Sequence, residues 1–166
     1  FKITGKQVLS HGAHNEHHSV DGLIALIQKG QTMAYISDAG MPGISDPGYM
    51  LVRAALQADV VFDVIPGVTA ATTAVTLSAL PCDKFTFHGF LPRKEGPKLR
   101  YLENLMSREE THIFYEAPHR VMDTFAALAQ TCPDRLCAVG RELTKIHQEC
   151  VRGTVADVYQ KFQSRD

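Results

Sequence analysis

The sequence predicts an α/β protein made of two α/β domains with a cleft between them. Short apolar runs of strand length alternate with longer segments whose apolar residues recur at helical spacing, the pattern of a parallel sheet with crossover helices. The alternation breaks once, at Leu80-Pro81-Cys82-Asp83-Lys84, and resumes with a different pattern, so residues 1–80 and 81–166 read as separate domains. An apolar share of 45% and a charged share of 21% over 166 residues suit a globular chain of this size.

Taken in order, Lys6–Ser10 (KQVLS) reads as a short strand. His11–His18 (HGAHNEHH) is a polar loop holding four of the eight histidines. Ser19 or Asp21 is placed to cap a helix whose apolar positions are Leu23, Ile24, Leu26 and Ile27, and Gly30 to stop it. Met33–Ile36 is a buried strand. Pro47–Ala58 is a helix with Met50, Leu51, Ala54, Ala55 and Leu56 mostly on one side, and Val60–Ile65 (VVFDVI) is a β-branched strand. Pro66-Gly67 ends it, and Val68–Leu80 continues as a helix of small residues. Beyond the linker, strands are expected at Phe85–His88, His112–Tyr115, Arg135–Val139 and His147–Arg152, the last two as a hairpin or as neighbours. Helices are expected at Lys98–Met106, Val121–Ala129 and Val155–Phe162.

The densest stretch is Thr32–Tyr49 (TMAYISDAGMPGISDPGY), where a strand opens into a loop with Gly40, Gly43, Gly48, Pro42, Pro47, Asp38 and Asp46. Glycine lets backbone approach a ligand closely, and the carboxyl edge of an open α/β sheet is where ligands bind. Asp38 can accept a hydroxyl or amino hydrogen bond there. Equally, Gly, Pro and Asp are the ordinary turn chemistry of a strand–loop–helix connection. The helix start after Pro66-Gly67 offers free N–H groups to oxygen or negative charge.

Other features exclude classes of function. No apolar run reaches membrane-span length, and the N-terminus lacks a signal-peptide layout. With a net charge of −1, nucleic-acid contact requires a local basic patch. Arg93, Lys94, Lys98 and Arg100 against Glu95 supply one, as phosphate contacts or as a solvated surface. The four scattered cysteines show no paired metal spacing and fit reduced thiols in a cytoplasmic enzyme. No metal is expected: HGAHNEHH lacks HExxH order, and magnesium at Asp38 and Asp46 would call for a GxxxxGK[ST] lysine that the sequence lacks. Glu116 follows a strand beside His119 and Arg120. It reads either as a carboxylate paired with Arg120 at a helix start, or, with Tyr115, as a cleft residue with Arg120 facing phosphate. Arg141-Glu142-Leu143-Thr144-Lys145 is a charge cluster after a strand, or an exposed turn of compensating ion pairs.

The blocks SDAGMPGISDPG, PGVTA, FLPRK, FYEAPHR and RELTK, in that order, resemble the tetrapyrrole-methylase superfamily over nearly the whole chain. Within it the sequence is similar to the branch that 2′-O-methylates a cytidine of small-subunit (16S) ribosomal RNA. The resemblance implies S-adenosylmethionine between two α/β domains, ribosomal RNA or the assembled small subunit as partner, no membrane, and a homodimer. By motif it implies that Asp38, Ala39, Gly40 and Met41 line the cofactor, with Thr69 and Ala70 on the other side and Tyr115 and Arg141 from the second domain. Glu116, Glu142 and Lys145 are then candidates for the base that removes the ribose hydroxyl proton. Arg93, Lys94 and Arg120 are the expected phosphate contacts. Two readings stay open beside it: a methylase of a corrin or porphyrin precursor, and a non-catalytic nucleotide- or RNA-binding module. The family opens with a strand, a glycine-rich loop carrying an aspartate and an AEDTR-like segment, and closes with a strand past the last helix; this sequence has none of these. Residues 1–80 are therefore expected to be a cofactor-binding domain incomplete at its start, and 81–166 an α/β domain incomplete at its end.

Overall fold

The structure, a computed structural model, describes residues 4–12 and 14–164. Phe1–Ile3, Arg165 and Asp166 lie outside the described residues, as does Ala13 of the histidine-rich loop. The chain forms two compact units and passes from one to the other between Thr69 and Ala70.

The first unit is built on α1 (Glu16–Gln28) and α2 (Tyr49–Gln57). Val20, Leu23 and Ile24 pack on Leu51 and Ala55, with Ile27, Met33, Tyr35, Met50 and Val60 around them. The α1 helix starts ahead of Ser19 and Asp21, with Asn15 at its N-cap, so neither residue caps it. Asn15 Oδ1 accepts the Gly12 N–H (2.7 Å), and Ser19, already inside the helix, donates its hydroxyl to Asn15 O (2.8 Å). His17 and His18 therefore ride on the helix rather than in a loop. Gly30 does stop α1: at φ +88° it donates to Ile27 O while the Gln31 N–H donates to Leu26 O, satisfying two carbonyls at the helix end. Asp59 (φ 52°) closes α2 the same way, through Leu56 O and the Val60 bond to Ala55 O.

The parallel sheet expected in residues 1–80 is not formed among the described residues. Lys6–Ser10, Met33–Ile36 and Val60–Ile65 run without ladder partners. A β-branched run becomes a strand only when a neighbour takes its backbone groups and something covers its side chains. Here Val61 is 98% exposed, Ile65 88% and Ile36 82%.

The second unit realises the expected crossover. Strand β1 (Phe85–Phe90), α4 (Glu95–Met106) and β2 (Thr111–Tyr115) form a parallel βαβ, with Phe85 opposite Thr111 and Phe87 opposite Ile113. A 3-10 turn (Pro118–Arg120) leads into α5 (Val121–Thr131). Strands β3 (Leu136–Arg141) and β4 (Glu149–Thr154) then pair antiparallel, from Leu136 opposite Thr154 to Arg141 opposite Glu149, and α6 (Val155–Gln163) closes the chain. Proline does not keep α4 from starting at Glu95: Pro97 lies in the first turn, where no N–H is needed. Phe125, Val151, Val155 and Val158 make one core; Leu91, Leu102 and Ala127 make another.

The remaining helix, α3 (Ala70–Ser78), belongs by packing with these strands, although the sequence reading places it before the boundary. Ala71 and Val75 meet Ile113, with Phe87 and Tyr115 around them. Small residues permit this: a Cβ at Gly140 would stand 3.6 Å from Ala74 Cβ. The Arg152 guanidinium donates to Leu77 O (3.0 Å from Nε) and ties down the end of α3.

Candidate functional site

In the first unit the glycine-rich stretch is a tied loop. Ser37 Oγ donates to Gly40 O (2.7 Å), the Gly43 N–H to Pro47 O (3.1 Å), and the Tyr35 hydroxyl to Pro47 O (2.7 Å). Burial pushes the Tyr35 phenol up, which keeps its proton in that bond. Glu16 reaches across from α1, and its Oε1 accepts the N–H groups of Gly48 (2.9 Å) and Met50 (3.2 Å). It thus caps α2, a task that Gly48, lacking a side chain, cannot perform. The Gly48 bond first, and then the Met50 bond, hold the Glu16 carboxyl below the usual carboxylate range. Gly48 itself is irreplaceable, since at φ +138° a Cβ would lie 2.9 Å from Tyr35 Cε1.

The loop lies against the segment leading to Thr69: a Cβ at Gly40 (φ +77°) would stand 3.5 Å from Val68 O, and one at Gly67 the same distance from Met41 Sδ. Asp38, Ala39 and Gly40 are exposed, and Met41 and Thr69 are half-buried. An open carboxylate beside bare, left-handed backbone fits a ligand carrying hydroxyl or amino donors, such as S-adenosylmethionine.

In the second unit the Tyr115 hydroxyl accepts the Ala71 N–H (3.1 Å), bringing the end of β2 to the start of α3 next to the exposed Ala70. Glu116 and Arg120 form an ion pair (3.3 Å) whose side chains are only 10% and 16% exposed. Glu116 also accepts the Ala117 N–H (2.9 Å) and the Thr124 hydroxyl (2.7 Å), and Arg120 donates to Leu91 O (2.9 Å) and Pro92 O (3.4 Å). Arg93, Lys94 and Arg100 are exposed. Lys98 is not: it is 3% exposed and donates to Thr124 Oγ1 (3.4 Å), so it leaves the expected basic patch. Its position on α4 turns it toward α5, which sequence spacing alone did not reveal.

Arg141 pairs with Glu149 (3.2 Å) and Lys145 with Glu142 (3.1 Å), all on partly or fully exposed side chains around a turn where Glu142 and Thr144 have φ of 50° and 67°. Among the described residues no hydrogen bond or ion pair joins Glu116 to Glu142 or Lys145, so the three candidate bases form two separate groups. Sequence reasoning missed Glu16, Tyr35 and Thr124; each acts across a long chain separation, which no local pattern announces. Among the described residues no group of three or more His, Cys, Asp or Glu is placed to hold a metal, and no helix is long and apolar enough to cross a membrane.

Residues 1–159 match the family of Tetrapyrrole (Corrin/Porphyrin) Methylases. The chain is 39% identical over all 166 of its residues to "Ribosomal RNA small subunit methyltransferase I" of Hydrogenobaculum sp., covering 72% of that protein. It is 44% identical over 156 residues to the protein of the same name in Synechocystis sp., 93% of this chain and 56% of that one. A Streptococcus pyogenes protein of that name is 40% identical over 158 residues, and the chain spans 55% of its length.

Proposed function

The chain belongs to the tetrapyrrole (corrin/porphyrin) methylases, and from that premise we propose that it methylates the ribose 2′-hydroxyl of a cytidine in small-subunit ribosomal RNA. S-adenosylmethionine, when bound, supplies a methyl already activated by its sulfonium, so the protein's work is positioning and proton removal. In this reading Asp38, Ala39, Gly40, Met41, Thr69, Ala70, Tyr115 and Arg141 hold the cofactor. Glu142 takes the hydroxyl proton on Oε2, its Oε1 being engaged by Lys145 at 3.1 Å. Glu116, already accepting from three donors, orients Arg120 instead. The enzyme works as a homodimer on the RNA or the assembled subunit.

The observation that carries the substrate is the Arg93–Lys94 pair, exposed on a loop whose preceding residue but one, Leu91, is 2% exposed and fixed in the core. Protruding cations on an anchored base suit a phosphate backbone, whereas a macrocycle calls for an enclosed apolar trough. The names of the relatives agree with that choice. The test is a partition of labelled methyl from S-adenosylmethionine among unmodified small subunits, deproteinised ribosomal RNA and a porphyrin precursor. Label in the RNA of either sample is expected; label in the macrocycle alone would overturn the proposal.

A further inference from the structure

We infer that Arg120 serves RNA binding as a brace for the Arg93–Lys94 loop, not as a phosphate contact, and that Glu116, Thr124 and Lys98 form the buried line that holds the brace. The inference rests on the proposed RNA substrate.

Arg120 Nη2 donates to the carbonyls of Leu91 (2.9 Å) and Pro92 (3.4 Å), the two that immediately precede Arg93. Its Nε faces Glu116 Oε1 at 3.3 Å. A planar guanidinium holds two carbonyls and a carboxylate in one fixed fork, whereas an ammonium brings its three donors on a flexible stem with no such geometry. Those partners engage its Nε and Nη2, and at 16% exposure the side chain is mostly closed to a phosphate.

Behind Arg120 the line continues inward. Glu116 Oε2 accepts the hydroxyl proton of Thr124 (2.7 Å), so Thr124 Oγ1 is left to accept from Lys98 Nζ (3.4 Å). Thr124 is 7% exposed and Lys98 3%. The line therefore crosses four parts of the second unit: α4, α5, the turn after β2 and the loop that follows β1. Glu116 is the anion between two enclosed cations, which makes each link depend on the next.

The brace acts where Leu91 fixes the loop from the other side, packed with Leu102 and Ala127. One residue is held by its side chain and by its carbonyl, and two cations project just beyond it. Cations held in place before binding lose less freedom on meeting a polyanion than cations on a loose loop.

The variants are Arg120→Lys, which keeps the charge and loses the fork, and Thr124→Val, which keeps the shape and loses the hydroxyl. Each is made in the full chain alone and on an Arg93→Gln/Lys94→Gln background, with circular dichroism as the check on folding. Affinity for deproteinised small-subunit ribosomal RNA is measured across a salt series. Loss of both loop cations should flatten the log–log salt slope by about 1.4, the value for two single-strand phosphate contacts. Arg120→Lys and Thr124→Val should each weaken binding about fivefold, the size of one net hydrogen bond, and flatten the slope. On the Arg93→Gln/Lys94→Gln background neither should weaken it further. A loss that adds in full on that background, or a silent Arg120→Lys, overturns the brace while leaving the RNA substrate standing. A silent Arg93→Gln/Lys94→Gln overturns the loop as an RNA contact and the brace with it. If Arg120→Lys does not fold, Thr124→Val decides by the same readings.

Discussion

Glu16 and Gly48 are 32 residues apart and joined by a hydrogen bond that caps α2 from another helix. Because the two backbone N–H groups lower the Glu16 carboxyl in the folded chain, its contribution is fully present above the unfolded carboxylate value. It is lost as pH falls through the lower, folded value. Glu16→Gln should therefore cost about 1 kcal/mol at neutral pH, the size of an N-cap, and the gap should close in acid, below the usual carboxylate range. Urea unfolding across that pH range measures it; a gap independent of pH would contradict the cap. The glycine at 48 was visible in the sequence, but its cause was not. Glycine density suggested a ligand's approach, whereas at Gly48 the neighbour is the Tyr35 ring. Lys98 was misread for a related reason: a cation near other cations suggests a surface patch until the face of its helix is known.

Elements were legible where one segment carried its own partner. The β1–α4–β2 crossover and the β3–β4 pair followed from apolar runs of strand length because each strand has its mate close in sequence. The strands expected before Thr69 failed on the same ground: their apolar side chains and backbone groups meet no pairing strand among the described residues. The allegiance of α3 was hidden because small residues suit packing on either side of a boundary. A property of the β1–β2 pair emerged only from the fold. His112 Nε2 meets Leu105 O at 3.2 Å, and a carbonyl only accepts, so the ring carries its proton there. His112 Nδ1 then accepts from His88 Nε2 (3.0 Å), and His88 Nδ1 from the Tyr101 hydroxyl (2.8 Å). Burial pushes both imidazoles down, with His112 adding to the effect on His88 and Arg135 to that on His112, against Glu110, which pulls both up; Arg108 lowers both slightly. Between the folded and unfolded values the unfolded chain binds more protons, so stability should fall as pH drops below the ordinary histidine value. Proton NMR titration should place both midpoints below that of a free histidine; midpoints at or above it would contradict the chain.

At the scale of the molecule, the order of the motif blocks carried the family, and the match over residues 1–159 agrees with it. Composition and periodicity alone reached only an α/β protein with a ligand loop. The internal ties of the loops were illegible because Glu16, Tyr35 and Thr124 each bond to a residue 12 or more positions away. For Glu116 and Arg120 both readings made from sequence concerned the same pair, and the geometry adds that this pair is enclosed and aimed at the loop before Arg93. The measurement that bears most directly on the account is mass-spectrometric mapping of small-subunit ribosomal RNA after incubation of unmodified subunits with the protein and S-adenosylmethionine. The account predicts a cytidine carrying the new methyl on its ribose 2′ oxygen, with the linkage on its 3′ side resistant to alkali. A methyl on a base, or RNA left unmethylated, would contradict it.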